Sequence, residues 1–272
     1  MADDLTPLIA DWPGEHSLAV VDRSGVVGVA GDLDVVRRIA SITKLFTAYT
    51  ALIAVEEGTI SLDDPAGPAG STVRHLLAHA SGLPFEGSEP VATVGDRRVY
   101  SNTGIEVLAR HLEGRAGMPF GEYLGIGVLE PLGLGHVATD VSPAHGLRLS
   151  IRELLVFVRE LLEPTLIHGA TFLTATTPVF PLLRGVLPGF GSIGENPWGL
   201  GFEIRGTKDP HWTAPRSSPE TFGHFGGAGS FLWVDPVRRL AAVSTGTVEF
   251  GAWAAEAWPV ANAAVLDRYA PE

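Results

Sequence analysis

The sequence predicts an α/β (α+β) fold: one antiparallel sheet formed by both chain ends, flanked by helices, with an inserted, mostly helical lobe. Three observations predict it. Strand-like patterns sit near both termini, helical periodicity fills the middle, and no internal repeat or low-complexity tract interrupts the 272 residues. The expected organisation is a single domain over 1–272, with a sheet lobe at about 1–60 and 198–272 and a helical lobe at about 61–197.

Taken in order, residues 5–11 suit a short helix. Segments 17–22 and 25–30 read as two strands with Arg23-Ser24 at the turn. From 41 to 57 the pattern is helical and apolar almost all round, through Leu45, Phe46, Tyr49, Leu52, Ile53 and Val55, with Gly58 placed to end it. A helix apolar on every side belongs in a core. A short helix is expected over 72–80. Thr103-x-x-Glu106 and Ser150-x-x-Glu153 have capping-box spacing ahead of apolar helical faces. Residues 164–197, rich in Gly, Pro and Thr, define no clear element. Strands follow at 200–204, 230–234 and 240–245, with Asp235-Pro236 turning between the last two. A closing helix over 252–268 should be kinked or interrupted at Pro259.

Composition narrows the function. Hydrophobic residues reach 45% against 18% charged, enough apolar material for a core, so disorder is excluded. A net charge of −12 disfavours nucleic acid and anionic membranes as partners. The absence of cysteine removes disulfides, thiol catalysis and Cys-ligated metals. No apolar run reaches the ~20 residues a membrane-spanning helix needs, and the acidic start MADDLTPLIADW lacks the basic region of a signal peptide. These features predict a cytoplasmic protein.

The chemistry starts at Ser41-Ile42-Thr43-Lys44. A serine and a lysine three apart on a helix share one face. A serine near a helix start has backbone N–H groups and the helix dipole available to an oxyanion. Its hydroxyl needs a base, and a neutral lysine can serve. Only Lys44 and Lys208 are lysines, the other 17 basic residues being arginine. Arginine cannot act as a base, so a lysine inside an apolar helix points to proton chemistry. His75 and His79 are four apart but lack the glutamate and third ligand of a zinc helix, so no metal is expected. No Gly-x-Ser-x-Gly occurs.

The run Arg38 to Ala48 around Ser41-x-x-Lys44 resembles the nucleophile helix of the serine β-lactamase and penicillin-binding-protein superfamily. The resemblance is to the branch holding class C β-lactamases, D-alanyl-D-alanine carboxypeptidases and family VIII esterases. Val55-Glu56-Glu57-Gly58, Leu76 to Pro84, Pro131-Leu132-Gly133-Leu134 and Trp198-Gly199-Leu200-Gly201 continue it in family order. Tyr100-Ser101-Asn102 matches the branch's Y-x-N motif, and His224-Phe225-Gly226-Gly227 falls where the family carries K-T-G.

The resemblance implies a β-lactamase-like fold and an acyl-enzyme on Ser41, with Lys44 and Tyr100 handling the proton. Asn102, His224, Phe225, Gly226, Gly227 and Trp198 are then expected at the substrate, with an oxyanion hole of the Ser41 and Gly227 backbone N–H groups. No cofactor is implied, and the partner is a small-molecule ester or amide. Phe225 departs from the family, because phenylalanine offers no hydroxyl to a substrate carboxylate. That departure, with the acidic surface, favours a carboxylesterase acting on small neutral esters. The alternatives are a β-lactamase or D-alanyl-D-alanine carboxypeptidase/aminopeptidase-type amide hydrolase, and a non-catalytic binding or assembly relative. The chain is short for the family, and 164–197 is expected to mark a trimmed lobe over a more open pocket.

Overall fold

The computed structural model describes residues 2–270. The chain forms β1 (Asp3–Asp4), α1 (Thr6–Ile9), β2 (His16–Asp22), β3 (Gly25–Ala30) and β4 (Arg37–Arg38). A 3₁₀ turn (Ala40–Ile42) leads into α2 (Thr43–Glu56), α3 (Val73–Leu77), α4 (Asn102–Ala116) and α5 (Phe120–Leu124). Then follow β5 (Arg148–Leu149), α6 (Ile151–Leu162), α7 (Gly169–Ala175), β6 (Gly185–Leu187), β7 (Gly191–Ile193) and β8 (Glu203–Ile204). The last elements are β9 (Phe222–Gly226), β10 (Ser230–Asp235), β11 (Leu240–Gly246) and α8 (Ala252–Tyr269). Two compact units result. One contains the chain up to Ile42, Arg148–Glu163 and everything from Arg205; the other contains Thr43–Leu147 and Pro164–Ile204.

The first, the sheet unit, sets six strands side by side in the order β1-β3-β2-β11-β10-β9. Both chain ends supply them, as predicted. All neighbours are antiparallel except β1, which pairs parallel with β3. The sheet is therefore mixed, because a two-residue edge strand before α1 is too short to leave a periodic signal. β10 and β11 are buried along their whole length, which explains their unbroken apolar runs. α6 lies against β2, β10 and β11. Its start is the predicted capping box: Ser150 Oγ accepts from the Glu153 N–H at 3.2 Å, and Glu153 Oε2 accepts from the Ser150 N–H at 2.7 Å. α8 runs through Pro259 without interruption. Trp258, Ala261, Asn262 and Val265 are buried around the proline, and their packing offsets the hydrogen bond it removes.

The second, the helical unit, is built on α2, in which residues 43–54 are all buried. This is the all-round apolar helix of the sequence. Gly201, at φ +87°, lies directly on it: a Cβ there would stand 2.1 Å from the Ala48 Cβ. α4 begins earlier than its expected box. Ser101 Oγ is the cap, accepting from the Gly104 N–H at 2.8 Å, while Thr103 Oγ1 donates to the Gly87 carbonyl. Glu106 is thereby released for another use. Residues 164–197 contain α7 and the β6–β7 hairpin, and the strand expected at 200–204 shrinks to Glu203–Ile204. Among the described residues no helix is long and apolar enough to cross a membrane.

Candidate active site

Within the sheet unit, Ser41 sits in the 3₁₀ turn just before α2 rather than inside the α-helix. Ala40 bends the backbone there at φ +44°, a conformation uncommon for a residue with a side chain. Such strain persists only where surroundings enforce it, and it collects at functional sites. From Ile39 to Ala54, Ser41 alone is not buried. Strand β9 lies against this turn. A Cβ on Gly226 would come within 2.4 Å of both the Ile39 carbonyl oxygen and Ser230 Oγ. Ser230 Oγ donates to the same carbonyl at 2.9 Å. Gly227 is exposed, with open space where a side chain would begin. Small residues here let a ligand's backbone approach the strand.

The structure separates His224 from Phe225. Successive strand residues point to opposite faces, and Phe225 joins the aromatic core under α8. Its ring centroid is 4.6 Å from Phe250, 5.9 Å from Trp212 and 6.0 Å from Trp258. The ring, expected at the substrate, is 7% exposed and spent on packing. His224 is buried, with Nδ1 2.6 Å from the Phe225 carbonyl oxygen.

Within the helical unit, Lys44 is fully buried in the first turn of α2. Its Nζ donates to Asn102 Oδ1 at 2.6 Å and to the Ala144 carbonyl at 2.8 Å. It also stands 4.9 Å from the centroid of the Tyr100 ring. The motif residues Lys44, Tyr100 and Asn102 are therefore assembled together. Burial pulls the Lys44 ammonium down to about 7, against the opposing pull of the negative Glu106 and Glu86. Asn102 is oriented from its other end, Nδ2 donating to Glu86 Oε1 at 2.9 Å. Glu106 accepts from Ser142 Oγ at 2.5 Å.

Tyr100 is held by rings. His79, Trp198 and Phe85 have centroids 4.8, 5.9 and 5.9 Å from it. Trp198 is 3% exposed and sits edge-on to His79, so it supports Tyr100 from within the unit. His79 Nδ1 accepts the Ser101 N–H at 3.2 Å, fixing the residue between Tyr100 and Asn102. His75 stacks on Phe180 with Nδ1 2.9 Å from Thr72 Oγ1. The two histidines are thus engaged in separate contacts.

Sequence reasoning missed Glu86, Glu106 and the Ala144 carbonyl. Glu106 carried only its capping-box signal, which pointed to a different role. Glu86 and Ala144 carried none, being joined to Lys44 and Asn102 only by folding.

A mixed sheet from both chain ends, with a helical unit in which a buried lysine and asparagine meet a half-buried tyrosine, is the build of the β-lactamase-like proteins. Residues 16–265 match the family model described as Beta-lactamase. The chain belongs to the β-lactamase family of serine hydrolases. A solved β-lactamase from Mycobacterium bovis is 45% identical, covers 97% of this chain and 98% of its own, and superposes with a TM-score of 0.94. The D-alanyl-D-alanine-carboxypeptidase/endopeptidase AmpH of Escherichia coli is 28% identical over 46% of this chain, a match spanning only 42% of that protein. EstCE1, described as a hydrolase with promiscuous acyltransferase activity, shares the fold at 17% identity and TM-score 0.72, covering 93% of this chain and 96% of its own.

Proposed function

We propose that the protein is a carboxylesterase that works through an acyl-enzyme on Ser41. The observation that carries the reading is Lys44: buried, near pH 7 in its titration, bonded to Asn102 and facing Tyr100. A lysine that is neutral for a substantial fraction of the time at neutral pH is able to accept a serine proton.

In this mechanism Ser41 Oγ attacks the ester carbonyl carbon, and its proton passes to the Lys44–Tyr100 pair. The tetrahedral oxyanion accepts hydrogen bonds from the Ser41 and Gly227 backbone N–H groups. The pair returns the proton to the departing alkoxide. Water then attacks the acyl-enzyme by the same route, releasing the acid and restoring Ser41. The net change is ester plus water to acid plus alcohol. The proton is assigned to the Lys44–Tyr100 pair, with Nζ 4.9 Å from the ring centroid, rather than to either residue alone.

Phe225 supports an ester without a carboxylate beside the scissile bond. No hydroxyl is offered at that strand position, and a missing hydrogen bond to such a group costs about 1–3 kcal/mol of discrimination. The Escherichia coli relative's name keeps amide hydrolysis as the competing reading. The test is hydrolysis of p-nitrophenyl acetate to octanoate beside nitrocefin and a D-Ala-D-Ala peptide, for wild type and Ser41→Ala. Ester turnover that falls by about 10⁴-fold or more in Ser41→Ala, with little nitrocefin or peptide cleavage, is the expected result. Faster nitrocefin or peptide cleavage would replace the esterase reading by the amide one. Equal rates in wild type and Ser41→Ala for every substrate would replace it by a binding relative of the fold.

A further inference from the structure

The helical unit holds a cavity of about 840 Å³ that begins at Tyr100 and is walled mainly by apolar groups, among them Phe85, Val91 and Val186. These three side chains are 52%, 51% and 59% exposed. A cluster of large exposed apolar groups around a concavity of this size marks a ligand site, which typically measures about 300–1,000 Å³.

The charge of this cavity opposes that of the chain. The protein carries 31 acidic residues and a net charge of −12, yet no Asp or Glu lines the cavity, while Arg97, Arg98 and Arg184 do. Arg98 is 3% exposed, and among the described residues its hydrogen bonds go to main-chain carbonyls rather than to a carboxylate. Its Nε donates to the Asn196 carbonyl, Nη1 to that of Ala78, and Nη2 to those of Val179 and Phe180. Carbonyl dipoles satisfy its hydrogen bonds but leave its charge uncompensated. Burial lowers its pKa only to about 10, so it stays cationic at neutral pH. Arg97 and Arg184 are exposed on the lining, and among the described residues neither forms an ion pair. Arg97 is steadied by a bond from Nη2 to the Val91 carbonyl at 2.8 Å.

We propose that this cavity binds one arm of the substrate, an apolar chain of medium length that ends in a carboxylate, with Phe85, Val91 and Val186 along the chain and Arg97 and Arg184 at its anionic end. The proposal rests on the esterase reading and narrows it. The carboxylate lies at the far end of the chain from the scissile carbonyl, so the missing hydroxyl at Phe225 is no obstacle. The acidic average that argues against anionic substrates fails locally, where three arginines and no carboxylate line one space.

The test is binding to the Ser41→Ala protein, measured by calorimetry, which is independent of turnover. Decanoate, decanol and succinate are the probes. Decanoate is expected to bind at least tenfold more tightly than either of the others, with an advantage that shrinks as salt rises. Arg97→Gln/Arg184→Gln should reduce the preference for decanoate over decanol to under threefold. Val186→Trp, which narrows the apolar wall and leaves the arginines, should weaken decanoate and decanol together. Decanoate and decanol binding equally, or decanoate binding unchanged in both variants, would overturn the proposal. The wild-type enzyme supplies a separate readout: mono-p-nitrophenyl sebacate should be cleaved with a higher kcat/KM than p-nitrophenyl decanoate. If no ester is cleaved, the esterase reading fails while the binding result still decides the cavity.

Discussion

Around Ser41 the sheet unit works with main chain and small side chains. Gly226 and Ser230 press on the Ile39 carbonyl, and Ala40 takes a left-handed turn. Around Lys44 the helical unit works with charge and hydrogen bonds. A buried ammonium is tied to Asn102 and a carbonyl, with Glu86 and Glu106 acting on it electrostatically. The first arrangement is sensitive to volume and indifferent to pH. The second is sensitive to protonation. The proposed reaction would draw on two kinds of precision, and they should fail in different ways.

The largest effect is expected at Lys44. Lys44→Met should lower kcat/KM for p-nitrophenyl acetate by roughly 10²–10⁴-fold, the usual range for loss of a positioned base. It should also change the pH dependence of stability. The folded pKa of Lys44, about 7, lies below its unfolded value near 10.5. The unfolded chain therefore binds more protons between these values, and this residue's contribution to stability rises with pH across that window. It is lost as pH falls toward 7. Urea midpoints measured from pH 6 to 10 should show a rising component that Lys44→Met removes. A slope identical in the two proteins would separate Lys44 from the charge-sensitive half.

Next comes Gly226→Ala, which tests the volume-sensitive half. The added methyl would meet the Ile39 carbonyl and Ser230 Oγ at 2.4 Å, with Ala40 Cβ at 3.2 Å. Overpacking of this kind costs about 1–3 kcal/mol. Turnover should fall with no shift in the pH profile. A shifted profile would show that the two halves are less distinct than their contacts imply.

The smallest effect is expected at Glu106→Gln. Its negative charge holds the Lys44 pKa up, so its removal should move the acid limb of the kcat/KM profile to lower pH by less than about one unit. Activity at pH 8 should barely change. A limb moving to higher pH would contradict the sign of this interaction.

The same contrast explains what was readable from sequence. The strands near both termini, the buried α2 and the Ser150 box are local patterns of period 2, period 3.6 or fixed offset, and each appears in the structure. The grouping of Lys44 with Tyr100 and Asn102 was legible through motif order. Glu86, Glu106 and Ala144 were not, because their proximity to Lys44 comes from folding of distant segments. Phe225 was legible in principle. It alternates with His224, and strand alternation alone sends one of the two into the core. β1 and β6–β7 are two or three residues long, below the length at which periodicity has meaning.

Arg98 carries a consequence for how this protein can change over time. It grips the chain at Ala78, Val179, Phe180 and Asn196 solely through main-chain carbonyls. Every residue type has a carbonyl, so that attachment places no demand on which side chains the segment between Val179 and Asn196 displays. Exposed Val186 and Arg184 can be exchanged while the anchor stays in place. Descendants of this sequence are thus able to drift toward new molecules by rewriting one wall of a cavity whose fastening is blind to the rewriting.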